Sequence, residues 1–488
     1  MVAVLLIVVP LGLAFAMPLF NFVSKHIAGY IPIAAMLCNL ILSILLLPSV
    51  MENPQIVVLG GLSPPLGIHL VAGPLGVGLS GLISLVGLAV SIYAWGYIKQ
   101  GAQDKYHALY LLLLSGATGA VLTGDLFNLF VFYEILCISS YALVAYLGDR
   151  NGVESAVKYL IQGSVGSGLI LVGIAILYGM FGTLNMAQIA IHIKDVDSPA
   201  IFLALVFLVT GFGVEAAVFP LNAWLPDAHS TAPSSISAIL SGIAIKVGIY
   251  AVARVLFTIF GVAAVFQYVL LLGLVTLLVG EICAFSQDNI KRMLAYSSVG
   301  QVGLIVFAIC IATPDGVGAG LFQLVSHALS KAVLFLGVGY LVACSGSMSL
   351  SSLNGIGKRM PVVCFACVVA AFSLVGLPPF AGFAGKFLII RAALAGKGIF
   401  FTVLIGIVLL ATVVEGAYFF RMVQTLYFKD AKKQIEFKKT PASASIPILA
   451  LVVLIVALGV YPDVLLPYLE SAAADLLNKA GYIKEVLG

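Results

Sequence analysis

Apolar residues fill the chain in long runs that are separated by short polar breaks. Most runs reach or exceed the ~20 residues that a helix needs to cross a hydrocarbon core. They predict fourteen helices, at 1–20, 28–49, 70–97, 107–123, 125–146, 153–181, 200–223, 232–259, 263–285, 291–312, 316–343, 361–390, 399–428 and 443–462. The pattern therefore predicts an all-α polytopic membrane protein, whose helices we number 1 to 14.

Two segments do not follow this pattern. Residues 50–69 contain three prolines and predict an extracytoplasmic loop, for which a hairpin is one option. The tail, 463–488, has the apolar spacing of an amphipathic helix that lies on a surface. No polar linker divides the chain, so we expect residues 1–488 to form a single membrane domain. Its predicted parts are helices 1–3 (1–106), a first repeat (107–259), a second repeat (260–428), and a last part (429–488) with a basic loop, the last helix and the tail.

An internal repeat is faintly visible at an offset of 164 residues. The run 171–182 aligns with 335–346, which places Gly182 on Gly346. Helices 4–8 and 9–13 are therefore predicted to form two inverted five-helix repeats. Each half also contains a helix interrupted by proline, helix 7 at 219–226 and helix 12 at 376–385. Broken helices in corresponding positions indicate a transport site.

The basic residues of the connecting loops predict the orientation in the membrane. Thirteen Lys and Arg residues fall in loops on one side, and five fall on the other. Basic loops stay in the cytoplasm, so both termini should be extracytoplasmic and the basic loop 429–439 cytoplasmic. We expect a multi-pass protein of the cell (plasma) membrane.

The composition agrees with this class of protein. Of the 488 residues, 62% are hydrophobic and 9% are charged, whereas soluble domains carry about 25% charged residues. A net charge of +4 does not suggest a nucleic-acid partner. Cys364 and Cys367 form a CxxC inside an apolar run, and Gly76, Gly78 and Gly81 form a GxGxxG inside helix 3. We interpret both as helix packing, so no metal site, cofactor or catalytic residue is expected.

Charged residues nevertheless occur within the predicted helices. An ionised side chain at a helix centre costs at least ~2.5–3.5 kcal/mol, so each of them needs an explanation. They are Lys158, Lys246, Arg254, Lys331, Lys386, Arg421, Asp125, Glu134, Glu215, Glu281 and Glu415, with His327 nearby. A hydrated path of paired titratable groups is the usual reason, and structural pairing between helices is the alternative.

Some placements favour a proton path. His327 and Lys331 are four residues apart and share a face of helix 11. Lys386 lies just beyond the break in helix 12, where unwound backbone could hold water. Arg254 and Arg421 keep their protons, so we expect them to anchor helix ends or to pair with acids.

Five motifs occur in an order that resembles a known family. They lie at 126–146, 219–254 (FPLNAWLPDAHSTAPSSISAILSGIAIKVGIYAVAR), 287–303, 326–336 and 376–387 (GLPPFAGFAGKF). The chain is similar to the antiporter-like subunits of Mrp antiporters and complex I. It resembles most the D-type Mrp subunit and its relatives in archaeal membrane-bound hydrogenases.

The resemblance implies roles for particular residues. The implied proton carriers are Glu134, Lys246, His327, Lys331 and Lys386, with Lys158 close to the helix 5 acid. Secondary candidates are Asp125, Asp227, His229 and Glu415. Glu215 stands where the family has a lysine, and Asn222 where a histidine is common. We expect Glu215 to lie near Glu134, and either to share a proton with it, to attract Lys158 or Lys246, or to hold Na⁺.

The function that these features predict is ion translocation within a larger membrane complex. Proton transfer would be coupled to Na⁺ exchange or to a redox module on other chains, and other membrane subunits and lipid would be the partners. The alternative is a scaffold subunit that kept the fold and lost conduction, which Glu215 favours. A stand-alone carrier for an organic solute is disfavoured by the five motifs.

Overall fold

The computed structural model describes residues 2–65, 67–99, 101–196, 198–395, 398–430 and 440–488. The membrane helices are α1 Val2–Val23, α2 Lys25–Glu52, α3 Pro74–Tyr97, α4 Gln103–Leu122, α5 Leu126–Val144, α6 Arg150–Phe181, α7a Pro199–Glu215, α7b Trp224–Thr231, α8 Ser234–Phe260, α9 Ala263–Phe285, α10 Ile290–Ile309, α11 Pro314–Ser345, α12a Pro361–Val375, α12b Ala381–Ala395, α13 Ile399–Tyr427 and α14 Ala442–Val460. Each of the fourteen predicted helices coincides with one continuous or one broken helix.

The helices have the length and composition of membrane spans. Within the described ranges, eleven are long and apolar enough to cross a membrane individually. The other three are α4 and the broken helices α7 and α12. The predicted all-α polytopic fold is confirmed.

Contacts in the two halves recur at the offset that the sequence repeat predicts. Asp125 pairs with Asn185 in an isolated β-bridge, and Asn289 pairs with Ser349 in the same way. Each residue of the second bridge follows its counterpart in the first by 164 positions. Because five helices separate corresponding elements, the two halves cross the membrane in opposite directions.

The two helices that precede these bridges also end alike. Gly182 ends α6 with φ 66°, and Gly346 ends α11 with φ 70°. Both residues occupy the left-handed region, which glycine adopts without the steric cost of a Cβ atom. The glycine alignment seen in the sequence therefore marks equivalent helix ends.

Both predicted breaks are present. α7a ends at Glu215, and turns follow before α7b begins. α12a ends at Val375, and α12b begins six residues later. The backbone freed at the breaks is satisfied by side chains: Gln162 Nε2 donates to the Leu221 carbonyl at 2.5 Å, and Lys386 Nζ donates to the Val375 carbonyl at 3.2 Å. Such satisfaction is required inside a membrane.

Helix α8 lies entirely inside the protein, with every residue from Ser234 to Phe260 buried. It contains two π-helical segments, Leu240–Ala244 and Arg254–Phe260. π-Helical turns are rare and often occur at functional sites. The helix that carries Lys246 is therefore both central and irregular.

The loop before helix 3 is a hairpin. Strand β1, Gln55–Val58, pairs antiparallel with β2, His69–Ala72. The start predicted for helix 3, residue 70, is wrong by four residues because 70–72 extend as a strand before Pro74 begins the helix. The predicted hairpin option is confirmed.

The tail forms two helices, α15 Leu466–Leu477 and α16 Lys479–Leu487. Leu469 and Leu476 are buried, and α15 packs against α3 and α11. The amphipathic interpretation holds, although the tail has two helices where one was predicted. Most of the predicted basic loop, 431–439, lies outside the described residues, as does Lys397.

Two arginines anchor helix ends, as expected. Arg254 Nη2 lies 3.1 Å from Asp475 Oδ2, which connects α8 to the tail. Arg421 Nη2 donates to the carbonyls of Phe285 and Gln287, at 3.0 and 2.9 Å, just at the end of α9. Both cations therefore have structural partners and lie outside the candidate path described below.

Candidate ion-translocation site

Glu215 occupies the break in helix 7 and is 1% exposed. The hydroxyl of Tyr159 lies 2.7 Å from its Oε1 and 2.9 Å from its Oε2. The Cys137 thiol donates to Oε2 at 3.5 Å. Since a buried carboxyl must be hydrogen-bonded or neutralised, these neighbours allow Glu215 to remain in the interior.

Glu134 lies on α5, one turn before Cys137 and on the same face. Its carboxylate accepts a hydrogen bond from Ser167 on α6, and Cys137, on the same face of α5, contacts Glu215. The two carboxyls are therefore neighbours, as the sequence predicted. Each has its own hydroxyl partner, so the shared proton stays a prediction.

Lys158 is on the protein surface. Its side chain is 53% exposed and lies 2.8 Å from Glu154 and 3.4 Å from Asp227. Ser167, the partner of Glu134, is nine residues further along α6, which is ~13 Å of helix. The implied proximity of Lys158 to Glu134 is wrong, because Lys158 extends to the polar end of its helix.

A polar cavity of about 320 Å³ is lined in part by Glu154, Lys158 and Asp227. Arg292 Nη1 lies 2.7 Å from Asp227 Oδ1, and Lys158 lies on the other side of the same carboxylate. The cavity is on the side that the loop charges predict to be cytoplasmic. Asp227 thus links two cations at the mouth of the cavity.

Lys246 is buried in the middle of α8. Its Nζ donates to the carbonyl of Ser241, in the first π-helical segment, and lies 2.7 Å from Nδ1 of His327 on α11. When Lys246 is charged, Nδ1 must accept, and the proton of the neutral ring is then on Nε2. Nε2 has no hydrogen-bond partner in the described part of the chain. Lys246 therefore contacts His327 and does not lean toward Glu215.

Lys331 is one turn beyond His327 on α11 and is fully buried. Its Nζ donates to the Leu294 carbonyl at 2.9 Å and to Ser297 Oγ at 2.8 Å, both on α10. The ammonium also lies 5.9 Å from the centre of the Phe419 ring. Among the described residues, Lys331 thus has only neutral partners within hydrogen-bonding distance.

A chain of side chains continues from α11 to the break in helix 12. Gln323 Nε2 donates to Gln301 Oε1 at 2.7 Å, and Gln301 Nε2 donates to Glu415 Oε1 at 2.7 Å. Glu415 Oε2 lies 2.5 Å from Nζ of Lys386. The secondary candidate Glu415 is therefore the ion-pair partner of Lys386.

Lys386 also borders a cavity of about 200 Å³ between α10, α12b and α13. Apart from Lys386 and Thr412, the residues that line this cavity are apolar or glycine. Lys386 is mostly buried but reaches the edge of the protein interior at this point. It is thus placed at the end of the charged series.

Two secondary candidates have structural roles. Asp125 caps α5, because its Oδ1 accepts from the Asn128 amide at 2.8 Å. His229 is buried and stacks on Phe335 with a 4.6 Å centroid distance. No hydrogen-bond partner for its ring nitrogens is found among the described residues.

Sequence reasoning did not identify the neutral partners of these charges. Tyr159, Ser297, Gln301 and Tyr418 have no charge to distinguish them from the many other polar residues of membrane helices. Glu281 was identified as an intramembrane charge but was not assigned to the site. Its charge was the available signal, and the structure places it beside Tyr418.

Comparison with known proteins identifies the family of the chain. Residues 123–414 match the transmembrane family described as NADH:quinone oxidoreductase/Mrp antiporter. The chain belongs to that family. This match includes every buried charge from Asp125 to Lys386, and it confirms the resemblance that the five motifs predicted.

Relatives of the NADH:quinone oxidoreductase/Mrp antiporter family match almost the whole chain. The N subunit of the NADH-quinone oxidoreductase of Desulforudis audaxviator is 36% identical over 484 aligned residues, covering 94% of this chain and 96% of that protein. The D-type polypeptide of the Na⁺/H⁺ antiporter of Bacillus subtilis is 31% identical and covers 93% of each. A chain of the membrane-bound sulfane sulfur reductase, an archaeal respiratory membrane complex, superposes with a TM-score of 0.93 at 36% identity and covers 99% of each chain.

Proposed function

We propose that this chain is the proton-translocating subunit of a multi-subunit respiratory complex in the cell membrane. The observation that carries the proposal is the 2.7 Å contact between Lys246 and His327. It connects the first half of the fold to the second through two groups that can exchange a proton. The family membership supports translocation as the activity of the fold.

The polar cavity at Lys158 and Asp227 is the proposed cytoplasmic inlet. Tyr159 follows Lys158, which lines this cavity, and its hydroxyl contacts Glu215. Its ring stacks on Trp224 at 3.8 Å with an interplanar angle of 3°, and its hydroxyl hydrogen-bonds to Glu215. A proton entering from the cavity would reach Glu215 and Glu134 past this aromatic pair.

The central segment of the proposed proton path runs from Lys246 to Lys331. A proton leaves the Lys246 ammonium for Nδ1 of His327, and the proton on Nε2 leaves toward Lys331. Lys246 gives one proton, His327 gains one and gives one, and Lys331 gains one as a neutral amine. The imidazole therefore ends as the other tautomer, and the net charge is conserved. Histidine suits this step because its two nitrogens can accept and donate in turn.

Lys386 is the proposed outward terminal group. Glu415 holds it at 2.5 Å, and the carbonyl of Val375 at the helix break supplies its other hydrogen bond. Opening of this pair would expose the lysine beside the broken helix, where irregular backbone can line a water-filled path. Proton release would follow when Glu415 no longer balances the ammonium.

The coupled reaction is assigned to a redox module on other chains, of the hydrogenase type or another. Two of the three relatives described above belong to respiratory enzymes and are 36% identical, whereas the antiporter polypeptide is 31% identical. Other membrane subunits would transmit the redox energy to the buried charges. Na⁺/H⁺ exchange is the rival form of coupling.

A scaffold role is the second candidate, and Glu215 is the observation that favours it. Where the resemblance implies a lysine opposite the helix 5 glutamate, this chain has a second carboxyl. A subunit that no longer cycles that pair could keep the fold and pass force to its neighbours without conducting.

The test uses the complex purified intact from its native membrane and reconstituted into vesicles. Its partner chains are identified by mass spectrometry, and proton uptake is followed with a pH-sensitive dye. Uptake driven by a redox substrate in Na⁺-free buffer would support the proposal. An absolute requirement for a Na⁺ gradient would indicate antiport, and electron transfer without uptake would indicate a scaffold.

A further inference from the structure

Glu281 is a buried carboxyl that the proposed path does not use. It lies on α9, is 1% exposed, and accepts a hydrogen bond from the hydroxyl of Tyr418 through Oε2 at 2.7 Å. Its other oxygen, Oε1, has no hydrogen-bond partner among the described residues. A half-satisfied carboxyl in the interior is costly to keep, so its presence calls for a function.

The backbone of α10 is shaped to admit this carboxyl. A Cβ atom added at Gly300 would lie 2.1 Å from Glu281 Oε1, closer than any real contact. Gly300 therefore lets Oε1 approach the backbone of α10. Packing against this backbone keeps the unpartnered oxygen in place.

Two hydrogen bonds, joined by an interaction between Ser297 and Tyr418, connect Glu281 to the central path. Lys331 Nζ donates to Ser297 Oγ at 2.8 Å. Ser297 also interacts with Tyr418, whose hydroxyl donates to Glu281 at 2.7 Å. Two hydroxyls thus separate the ammonium of Lys331 from the carboxylate of Glu281.

Building on the proposed function, we propose that Glu281 is a further proton carrier, which stores a proton taken from Lys331 through Ser297 and Tyr418. In this step the Lys331 ammonium loses one proton and becomes an amine. Ser297 and Tyr418 each gain one proton and pass one on. The Glu281 carboxylate gains one proton and becomes a carboxylic acid, so atoms and charge balance.

The charges around Glu281 make such storage feasible. Glu415, the ion-pair partner of Lys386, lies one turn before Tyr418 on α13. This pair and Lys331 are therefore the charged groups near Glu281. Before the transfer, the charged lysines are Lys331 and Lys386, and the carboxylates are Glu281 and Glu415. After it, only Lys386 and Glu415 are charged. The charges of this group therefore balance in both states, which avoids the several kcal/mol that an unpaired interior ion costs.

The position of Glu281 makes it a store and not an outlet. It lies four residues before the end of α9, ~6 Å from that end, on the side predicted to be cytoplasmic. Lys386 is placed on the outward route through the broken helix. A proton on Glu281 must therefore return to Lys331 before it can be released. The transfer of a proton to Glu281 does not open the Lys386–Glu415 ion pair.

The deciding variant is Glu281→Gln in the intact reconstituted complex. Glutamine still accepts from Tyr418 but cannot take a proton, so a merely structural role would be preserved. We expect proton uptake to fall about tenfold or more, and a carboxyl band to disappear from the infrared difference spectrum of turnover. Uptake at the original rate together with an unchanged carboxyl band would overturn the proposal.

A second variant tests the connection without touching the carboxyl. Tyr418→Phe removes the hydroxyl between Ser297 and Glu281, and we expect a similar loss of uptake while the complex still assembles. Tyr427→Phe, on the same helix and outside the connection, is the matched control and should leave uptake unchanged. Full uptake in Tyr418→Phe would also overturn the proposal.

A parallel measurement on Lys246→Ala separates this proposal from the proposed function. Loss of uptake in Lys246→Ala with full uptake in Glu281→Gln would reject the store and keep the main path. Full uptake in both variants would reject the path itself, and the store with it.

Discussion

Nζ of Lys246 and Nδ1 of His327 are 2.7 Å apart, although 81 residues separate them along the chain. One belongs to the last helix of the first half and the other to the third helix of the second. The contact is therefore the point at which the two inverted halves share a titratable pair. Function should be most sensitive to change at this pair.

Replacing Lys246 with Ala should reduce proton uptake by about a hundredfold or more, the usual contribution of a positioned proton-transfer group. The complex should still assemble, because the contacts that Lys246 loses are to a carbonyl and an imidazole. The matched control is Lys291→Ala, which removes another buried lysine whose Nζ donates to the Ala232 carbonyl at 2.9 Å. Proton uptake is measured in both variants. Equal losses of uptake would mean that Lys246 contributes to folding, as Lys291 does, and has no specific role in proton transfer.

Replacing Lys386 with Met should block proton release and also destabilise the complex. The variant leaves Glu415 buried without its cation, which costs about 3–5 kcal/mol. Adding Glu415→Gln should restore most of the stability without restoring uptake. Thermal unfolding midpoints and uptake rates measure the two effects separately. A single variant as stable as the double variant would show that the pair carries no buried charge.

The pair Glu134 and Glu215 allows a charge test. Glu215→Lys recreates the arrangement that the resemblance implies, so uptake should be intact or improved. Glu215→Gln should reduce proton uptake less than Glu134→Gln does. Infrared difference spectra should show one proton shared by the two carboxyls near neutral pH. Two carboxylates that are both ionised at neutral pH, with no cation bound, would end this hypothesis.

The anchoring of the tail should depend on pH. Lys479 Nζ donates to the carbonyl of Ile259 at 2.6 Å, at the end of α8. Burial, and then the charge of Lys194, lower the pKa of Lys479 to about 8. Because the docked tail prefers the neutral amine, while a free lysine has a pKa near ~10.4, docking should strengthen as pH rises from about 8 to ~10.4. Below about 8 it should be weakest and constant.

A nitroxide label at Ala474, which is exposed on α15, reports this docking. The mobile fraction of its spectrum should fall across that pH range. Lys479→Gln, which cannot titrate, should remove the pH dependence. A mobile fraction that rises with pH in the unmodified protein would contradict the assigned sign.

The sequence predicted the fold well because membrane helices are set by long apolar runs, which are visible without tertiary information. The breaks in helices 7 and 12 were predictable from their prolines. Short elements outside the runs were less so: the helix Met186–His192 was not predicted, and the strand β2 was assigned to helix 3. Strand pairing depends on a partner segment, and an apolar run does not reveal that partner.

The charged part of the site was predictable for a related reason, since a charge stands out in an apolar run. Depth in the membrane was harder to predict. Lys158 lies eight residues into α6, yet its long side chain reaches the surface and pairs with Glu154, as lysines near helix ends commonly do. The neutral partners, such as Tyr159 for Glu215, depend on contacts between helices that one sequence does not contain.

The complete burial of α8 also has a consequence for biosynthesis. Lys246 and Arg254 leave the ribosome before α10, α11 and the tail that surround them exist. Each would cost at least ~2.5–3.5 kcal/mol at the centre of a lone inserted helix. During synthesis, α8 must therefore be held by the earlier helices α4 and α7a that it contacts, until the second half of the chain has been made. Truncation after helix 9 should leave α8 poorly inserted.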